Sequence, residues 1–283
     1  MQRIGVVGAG TMGHGIAQVA AMAGYTVRLT DQDPAALERG LQQVRAHLDK
    51  GVARGKVDAE TRERALEQLS GVVDLAAVAE DADLLVEAIP EHLDWKRDLF
   101  AKLEGLAPAG CIFATNTSSL SVAKIAEAVS DPGRVVGTHF FNPVHIMALL
   151  EIVVTDTTRP GVLGAIRDFG ERIGKEAIVV RDFPGFATSR LGVCLGMEAI
   201  RMVEQGVASP EDIDKAMVLG YRHPIGPLKL SDLVGLDVRM HIGEYLAKEL
   251  GNPAFEPPAL MRKMVAEGRL GKKTGRGFYD WPT

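Results

Sequence analysis

Arg3-Ile4-Gly5-Val6-Val7-Gly8-Ala9-Gly10-Thr11-Met12-Gly13 opens the chain as a short apolar run that breaks into three closely spaced glycines. A near-continuous Val/Ile run is what a parallel strand covered on both faces requires. In a strand–turn–helix context each glycine has its own task. Gly8 permits the tight turn, Gly10 lets backbone approach a pyrophosphate, and Gly13 lets the next helix pack closely on the sheet. The helix expected over residues 11–23 then aims its first N–H groups, those of Thr11 and Met12 included, at the phosphates. The motif predicts a dinucleotide site; a glycine-rich turn that serves packing alone is the competing reading.

Outward from this turn, β-rich runs recur at residues 4–8, 26–31, 71–73, 83–89, 111–115, 134–138, 149–155 and 177–180. Helical spacing fills most of the gaps, as at 11–23 and 34–48, and Asp33-Pro34 supplies a cap followed by a first-turn proline. Alternating β and α predicts a doubly wound, Rossmann-like α/β domain with a parallel sheet over residues 1–183. A charged helical pair at 34–53 and 59–69, hinged across 51–58, interrupts the rhythm as a helical-hairpin insertion. It reads either as a solvated hairpin or as an arm whose Lys50, Arg54 and Lys56 meet an anionic ligand. After a linker at 181–185 the pattern turns helical, which predicts an all-α C-terminal domain over 184–283. Its first helix, expected over 189–206, carries an apolar stripe at Leu191, Leu195, Ala199, Met202 and Val203. Helices are also expected from a Ser209 cap, across 227–250 and across 258–267.

With 283 residues, 46% of them hydrophobic and 24% charged, the chain can bury two cores. A net charge of −5 without any basic block argues against nucleic acid as the main partner. Cys111 and Cys194 lie far apart in apolar surroundings and read as reduced thiols of a cytoplasmic protein. No apolar stretch reaches the roughly 18 residues of a membrane span, and no targeting leader precedes the first strand. No metal-ligand spacing is present.

Asp31 ends the second run, 18 residues after Gly13. A carboxylate there binds adenosine ribose hydroxyls and repels the additional phosphate of NADP, so NAD is the expected cofactor. A dehydrogenase that oxidises an alcohol needs a base for the hydroxyl proton, most often histidine. Among seven histidines, His139 stands out at the end of an apolar strand, where ligands collect in open α/β sheets. Glu151, inside the next apolar run, is costly to bury unless paired. Adjacent strands would let it orient an imidazolium, although spacing alone leaves two unrelated side chains equally open.

Five segments in order, 8–18, 87–91, 116–120, 137–143 and 271–279, resemble the 3-hydroxyacyl-CoA dehydrogenase family. They read Gly8-Ala9-Gly10-Thr11-Met12-Gly13-His14-Gly15-Ile16-Ala17-Gln18, Glu87-Ala88-Ile89-Pro90-Glu91, Asn116-Thr117-Ser118-Ser119-Leu120, Gly137-Thr138-His139-Phe140-Phe141-Asn142-Pro143 and Gly271-Lys272-Lys273-Thr274-Gly275-Arg276-Gly277-Phe278-Tyr279. The length resembles the bacterial single-function members. The resemblance implies reversible NAD-dependent oxidation of an (S)-3-hydroxyacyl-CoA, with short acyl chains favoured. It implies His139 as base, Glu151 as its partner and Ser118 as the group that holds the reacting oxygen. Ser118 and Ser119 also read as helix caps. Asn116 is implied near the nicotinamide, with Glu91 and Lys96 along the cofactor's ribose; without the family, both read as surface residues of a helix over 93–106. The arm is implied to contact CoA through Lys56, Lys50 and Arg54, with Asn142 a further substrate contact, and the helical domain is implied to form a homodimer. One departure stands out. The family's usual Pro-Gly-Phe-x-x-Asn-Arg reads Pro184-Gly185-Phe186-Ala187-Thr188-Ser189-Arg190 here, so Ser189 replaces an amide that reaches the active site, with Cys194 four residues after the Arg. Other readings are an enzyme of the crystallin-like branch that acts on a sugar acid, or a non-catalytic NAD-binding protein.

Overall fold

β1 (Arg3–Val7) is buried from Ile4 onward because the run has no polar face to turn outward. Seven further strands join it: β2 (Thr26–Thr30), β3 (Leu69–Gly71), β4 (Leu84–Glu87), β5 (Ile112–Thr115), β6 (Val135–Phe140), β7 (Leu149–Val154) and β8 (Glu176–Arg181). In this computed structural model, which describes residues 1–282, the sheet order is β3-β2-β1-β4-β5-β6-β7-β8. The helices of this half are α1 (Thr11–Met22), α2 (Pro34–Ala53), α3 (Ala59–Gln68), α4 (Leu75–Ala79), α5 (Leu93–Glu104), α6 (Val122–Ala126) and α7 (Pro160–Arg172). The α2–α3 pair is the insertion between β2 and β3. Asp33 caps α2 through Ala35 N–H at 2.9 Å, and Asp58 caps α3 through Thr61 N–H at 2.7 Å.

Three departures from the sequence reading have physical causes. β3 lies at 69–71 rather than 71–73, since Val73 is exposed and Asp74 already caps α4. β6 continues to Phe140, so His139 sits within the strand and not past its end. The sheet is not wholly parallel: β6 and β7 are antiparallel, and β8 runs parallel to β7. The eight-residue link 141–148 is too short for the crossover of about a dozen residues that a parallel neighbour needs.

The chain divides into two compact units between Asp182 and Phe183. The second is helical: α8 (Thr188–Glu204), α9 (Pro210–Tyr221), α10 (Pro227–Val234), α11 (Leu236–Leu250) and α12 (Ala259–Ala266). The helical pattern of 227–250 breaks at Gly235, whose φ of 102° separates α10 from α11. Another correction concerns the stripe on α8. Val193, Met197 and Ile200 face the core along with Ala199, whereas Leu191 is 72% exposed. The tail is fastened through Asp232, a buried residue of α10. Its carboxylate accepts the Phe278 and Tyr279 N–H groups at 3.0 and 2.9 Å and the Trp281 indole N–H at 2.9 Å. A Cβ at Gly277 would collide with that carboxylate, which accounts for glycine there.

Candidate active site

The glycine turn meets the demands read from its sequence. Gly8 has φ 101°, and a Cβ on it would lie 2.6 Å from the Ala88 carbonyl. A Cβ on Gly13 would overlap the Gly8 carbonyl, so helix and turn touch backbone to backbone. Gly10 is the N-cap of α1 and offers no side-chain acceptor, while the space around its Cα is open. The first-turn N–H groups of α1, between exposed Thr11 and half-buried Met12, therefore await an acceptor from outside the helix. Asp31 follows β2 and braces the turn: one carboxylate oxygen accepts Ala9 N–H at 2.8 Å and the other Asp33 N–H at 3.0 Å. The arm touches the same turn. A Cβ on Gly40 of α2 would lie 2.7 Å from the Ala9 carbonyl.

Beside the turn, β4 and β5 end on a polar network that the sequence reading only partly anticipated. Glu87 is fully buried and accepts from Lys96 Nζ at 2.6 Å, Thr115 Oγ1 at 2.6 Å and Ile89 N–H at 2.7 Å. Burial pushes its carboxyl above the usual range, and those three donors oppose the shift. Lys96 also donates to the Asn116 carbonyl at 3.0 Å and lies 3.7 Å from Glu91. Its side chain has no exposed surface, so Lys96 is no surface residue of α5. In this arrangement it ties Glu87, Glu91 and Asn116 together. Glu91, 37% exposed, accepts from Thr117 Oγ1 at 2.6 Å and from Ser118 N–H at 3.0 Å and Oγ at 3.3 Å. Neither Ser118 nor Ser119 caps α6; Ser121 does, through Lys124 N–H at 3.2 Å. Glu87 carried the signal applied to Glu151, a carboxylate closing the apolar run Leu84-Leu85-Val86.

His139 and Glu151 are directly opposed residues of the antiparallel β6–β7 pair. His139 Nδ1 lies 2.6 Å from Glu151 Oε2, with the Glu151 side chain wholly buried and that of His139 9% exposed. The Phe141 ring sits 4.3 Å from the imidazole, centroid to centroid. Asn116 Oδ1 accepts Phe140 N–H at 3.1 Å, which ties the β5 end to the residue after His139. Asn116 thus links the Lys96–Glu87 network to the strand that carries His139.

Lys50, Arg54 and Lys56 are exposed on the arm and form no ion pair among the described residues. Asn142 is exposed in the loop after β6, next to the cis peptide to Pro143. Ser189 occupies the first turn of α8 in the second unit. Cys111 is buried and its thiol is pushed up to about 12 by that burial; it forms no disulfide, and neither does half-buried Cys194. Among the described residues, no cluster of His, Cys, Asp and Glu could hold a metal ion, and no helix is long and apolar enough to cross a membrane.

Residues 3–183 match the family model of the 3-hydroxyacyl-CoA dehydrogenase NAD binding domain, and residues 185–281 match that of the C-terminal domain. The chain belongs to the 3-hydroxyacyl-CoA dehydrogenase family. It is similar to the probable 3-hydroxybutyryl-CoA dehydrogenase of Bacillus subtilis, at 42% identity over 99% of this chain and 98% of that one. The mitochondrial hydroxyacyl-coenzyme A dehydrogenase of Sus scrofa is 42% identical over 99% of this chain and 91% of that one. Among solved structures, the (S)-3-hydroxybutyryl-CoA dehydrogenase of Ralstonia eutropha superposes with a TM-score of 0.95 at 38% identity, covering 100% of both chains. The dehydrogenase is NAD-dependent, and its uncapped α1, open Gly10 and Asp31 carboxylate fit that cofactor.

Proposed function

We propose that this dehydrogenase interconverts (S)-3-hydroxyacyl-CoA and 3-ketoacyl-CoA, with 3-hydroxybutyryl-CoA and similarly short thioesters as its substrates. The observation that carries the reading is the cross-strand pair of His139 and Glu151, tied through Asn116 to the cofactor side of the sheet. NAD, when bound, accepts the hydride from the third carbon of the acyl group. Thr11, Met12 and Gly13 hold its pyrophosphate by the first backbone N–H groups of α1, with Gly8 making the turn and Gly10 leaving room for close approach, and Asp31 takes the adenosine ribose hydroxyls. Asn116 and Glu91 face its nicotinamide half, with Lys96 fixing both from below.

His139 does the proton work. Glu151 accepts from Nδ1, which fixes the ring's tautomer and leaves Nε2 to take the substrate's hydroxyl proton. Once the ring is cationic, the buried carboxylate stabilises it; with the pair already formed, little reorganisation accompanies proton transfer. Ser118, held to Glu91 by its backbone N–H, turns its one hydroxyl proton from Glu91 to the same oxygen and keeps it near Nε2. Ser189, on the second unit, carries a hydroxyl with less reach and one donor fewer than the amide usual at its place in the family's motif. Lys50, Arg54 and Lys56, lacking internal partners, meet the phosphates of CoA, and Asn142 lies along the thioester. Exposed Leu191, Leu219 and Tyr221 on the helical unit, 72%, 73% and 77% accessible, support a homodimer through that surface. The reduced thiols support a cytoplasmic location.

Consumption of NADH with acetoacetyl-CoA tests the reading directly. Robust turnover is expected, with NADPH a poor substitute. Loss of turnover is expected when the thioester is replaced by free acetoacetate; a preference for the free acid would instead favour the sugar-acid branch. Folded protein that leaves NADH unconsumed with acyl-CoA of any length would refute the proposal.

A further inference from the structure

Three imidazoles lie in a row on the first unit, outside the machinery assigned above. His14 belongs to the first turns of α1, His47 to the arm helix α2, and His145 to the loop between β6 and β7. Ring centroids are 5.5 Å apart from His14 to His47 and 4.6 Å apart from His47 to His145. The row starts at the pyrophosphate turn, because His14 Nδ1 donates to the Gly10 carbonyl at 2.7 Å. A carbonyl only accepts, so Nδ1 carries a proton there. His47 is alike: its Nδ1 donates to Gln18 Oε1 at 3.3 Å, and the amide nitrogen of Gln18 points to the Met22 sulfur. His145 is exposed at the far end.

The surrounding charge has one sign. Lys50 stands about one turn beyond His47 on α2. Lys175, just before β8, reaches under the loop and donates to the carbonyls of Val144 and Met147. Lys50 and the neighbouring rings act on both His47 and His145, and Lys175 acts on His145; no carboxylate is among these groups. Burial, then this cationic company, holds both rings below the ordinary histidine pKa. The α1 N-terminus adds a further partial positive charge. His14, His47 and Lys175 are matched only by neutral carbonyl oxygens, so these groups meet no carboxylate, in a chain whose net charge is −5.

We propose that His14, His47 and His145 form a phosphate subsite at which His47 and His145 gather protons from solvent as it fills. A phosphate supplies the missing negative charge; as it arrives the rings of His47 and His145 take up protons, and their contacts become charge-assisted hydrogen bonds. Two sources present this chemistry: the phosphates of CoA on the arm side and the pyrophosphate of NAD on the turn side. The inference rests on the function proposed above and makes its affinity for one ligand dependent on pH.

Calorimetric titration with CoA and, separately, with NADH at about pH 6 and about pH 8, at constant ionic strength, tests it without requiring turnover. Expected is tightening by about tenfold at the lower pH for each proton taken up per pH unit spanned by the shift. The ligand that shows it identifies the source. Replacing both outer rings, His47→Gln with His145→Gln, is expected to flatten the dependence. Proton uptake on the unaltered protein, read from binding heats in buffers of different ionisation enthalpy, tests the same point should that variant not fold. Binding of both ligands without proton uptake, or a pH dependence retained in the double variant, overturns the subsite. A chain inactive on acetoacetyl-CoA overturns the function instead, so the two failures are distinct.

Discussion

At the scale of single residues, Glu151 and Asp31 each have two duties, and substitution separates them. Glu151→Gln keeps the shape of the His139 partner but removes the charge that stabilises the protonated ring. Turnover is expected to fall by about a hundredfold or more, within the range general acid–base groups supply, with NADH affinity little changed. Steady-state kinetics and a fluorescence titration of NADH check this; unaltered kcat would remove Glu151 from the mechanism. Asp31 braces Ala9 N–H and is the proposed ribose acceptor, so Asp31→Ser is expected to weaken NADH by about tenfold and narrow the gap to NADPH. If the gap stays while both weaken, the bracing role alone is real.

At the scale of elements, the sequence made some features plain and hid others. The apolar strands and the Asp33-Pro34 start of α2 were legible because local chemistry decides them. The reversal at β7 was not, since hydrophobic runs carry no direction; only the short 141–148 link carries that information. Glu151 was conspicuous for being charged within an apolar run, yet its register opposite His139 depends on that same reversal. Lys96 was misread for a related reason: a lysine in an amphipathic helix is exposed by default, and only the distant Glu87 makes its burial tolerable. The stripe on α8 went astray because leucines on either face fit a helical period, and packing chose Val193, Met197 and Ile200. Asp232 exemplifies an element held from outside itself. Asp232→Ala strips the acceptor from three donors, and a loss of about 3 to 5 kcal/mol is expected in urea unfolding of the helical unit. A loss below about 1 kcal/mol would mean that water replaces the carboxylate there.

For the whole molecule, pH is the natural probe because the perturbed groups sort into two windows. His47 and His145 are held below the ordinary histidine value of about 6.5, so the unfolded chain binds more protons below that value and stability declines as pH falls. Asp83 and Glu104 are carboxylates that burial pushes up, but backbone N–H groups of Arg3 and Gln2 in one case and Ser130 in the other, with arginines, outweigh it. Their net lowered values contribute stability that is complete above the ordinary carboxylate value of about 4 and lost as pH drops through the folded one. Thermal unfolding is therefore expected to show a first decline in Tm between roughly pH 7 and 5 and a second below about pH 4. His47→Gln with His145→Gln should remove the first decline and leave the second. A Tm constant from pH 7 down to about 5 would show that these rings titrate alike in both states.

The contact between Gly40 and Ala9 has a consequence for how the enzyme meets its supply. The long arm helix rests closely on the glycine turn proposed to receive the pyrophosphate. Linkage is reciprocal: if a seated dinucleotide improves the grip on a thioester, a seated thioester improves the grip on the dinucleotide by the same factor. A cell rich in acyl thioesters would then keep this enzyme charged with NAD even when the free pool runs low. A one-atom gap left by a missing side chain would thereby tune the enzyme to fuel and oxidant together.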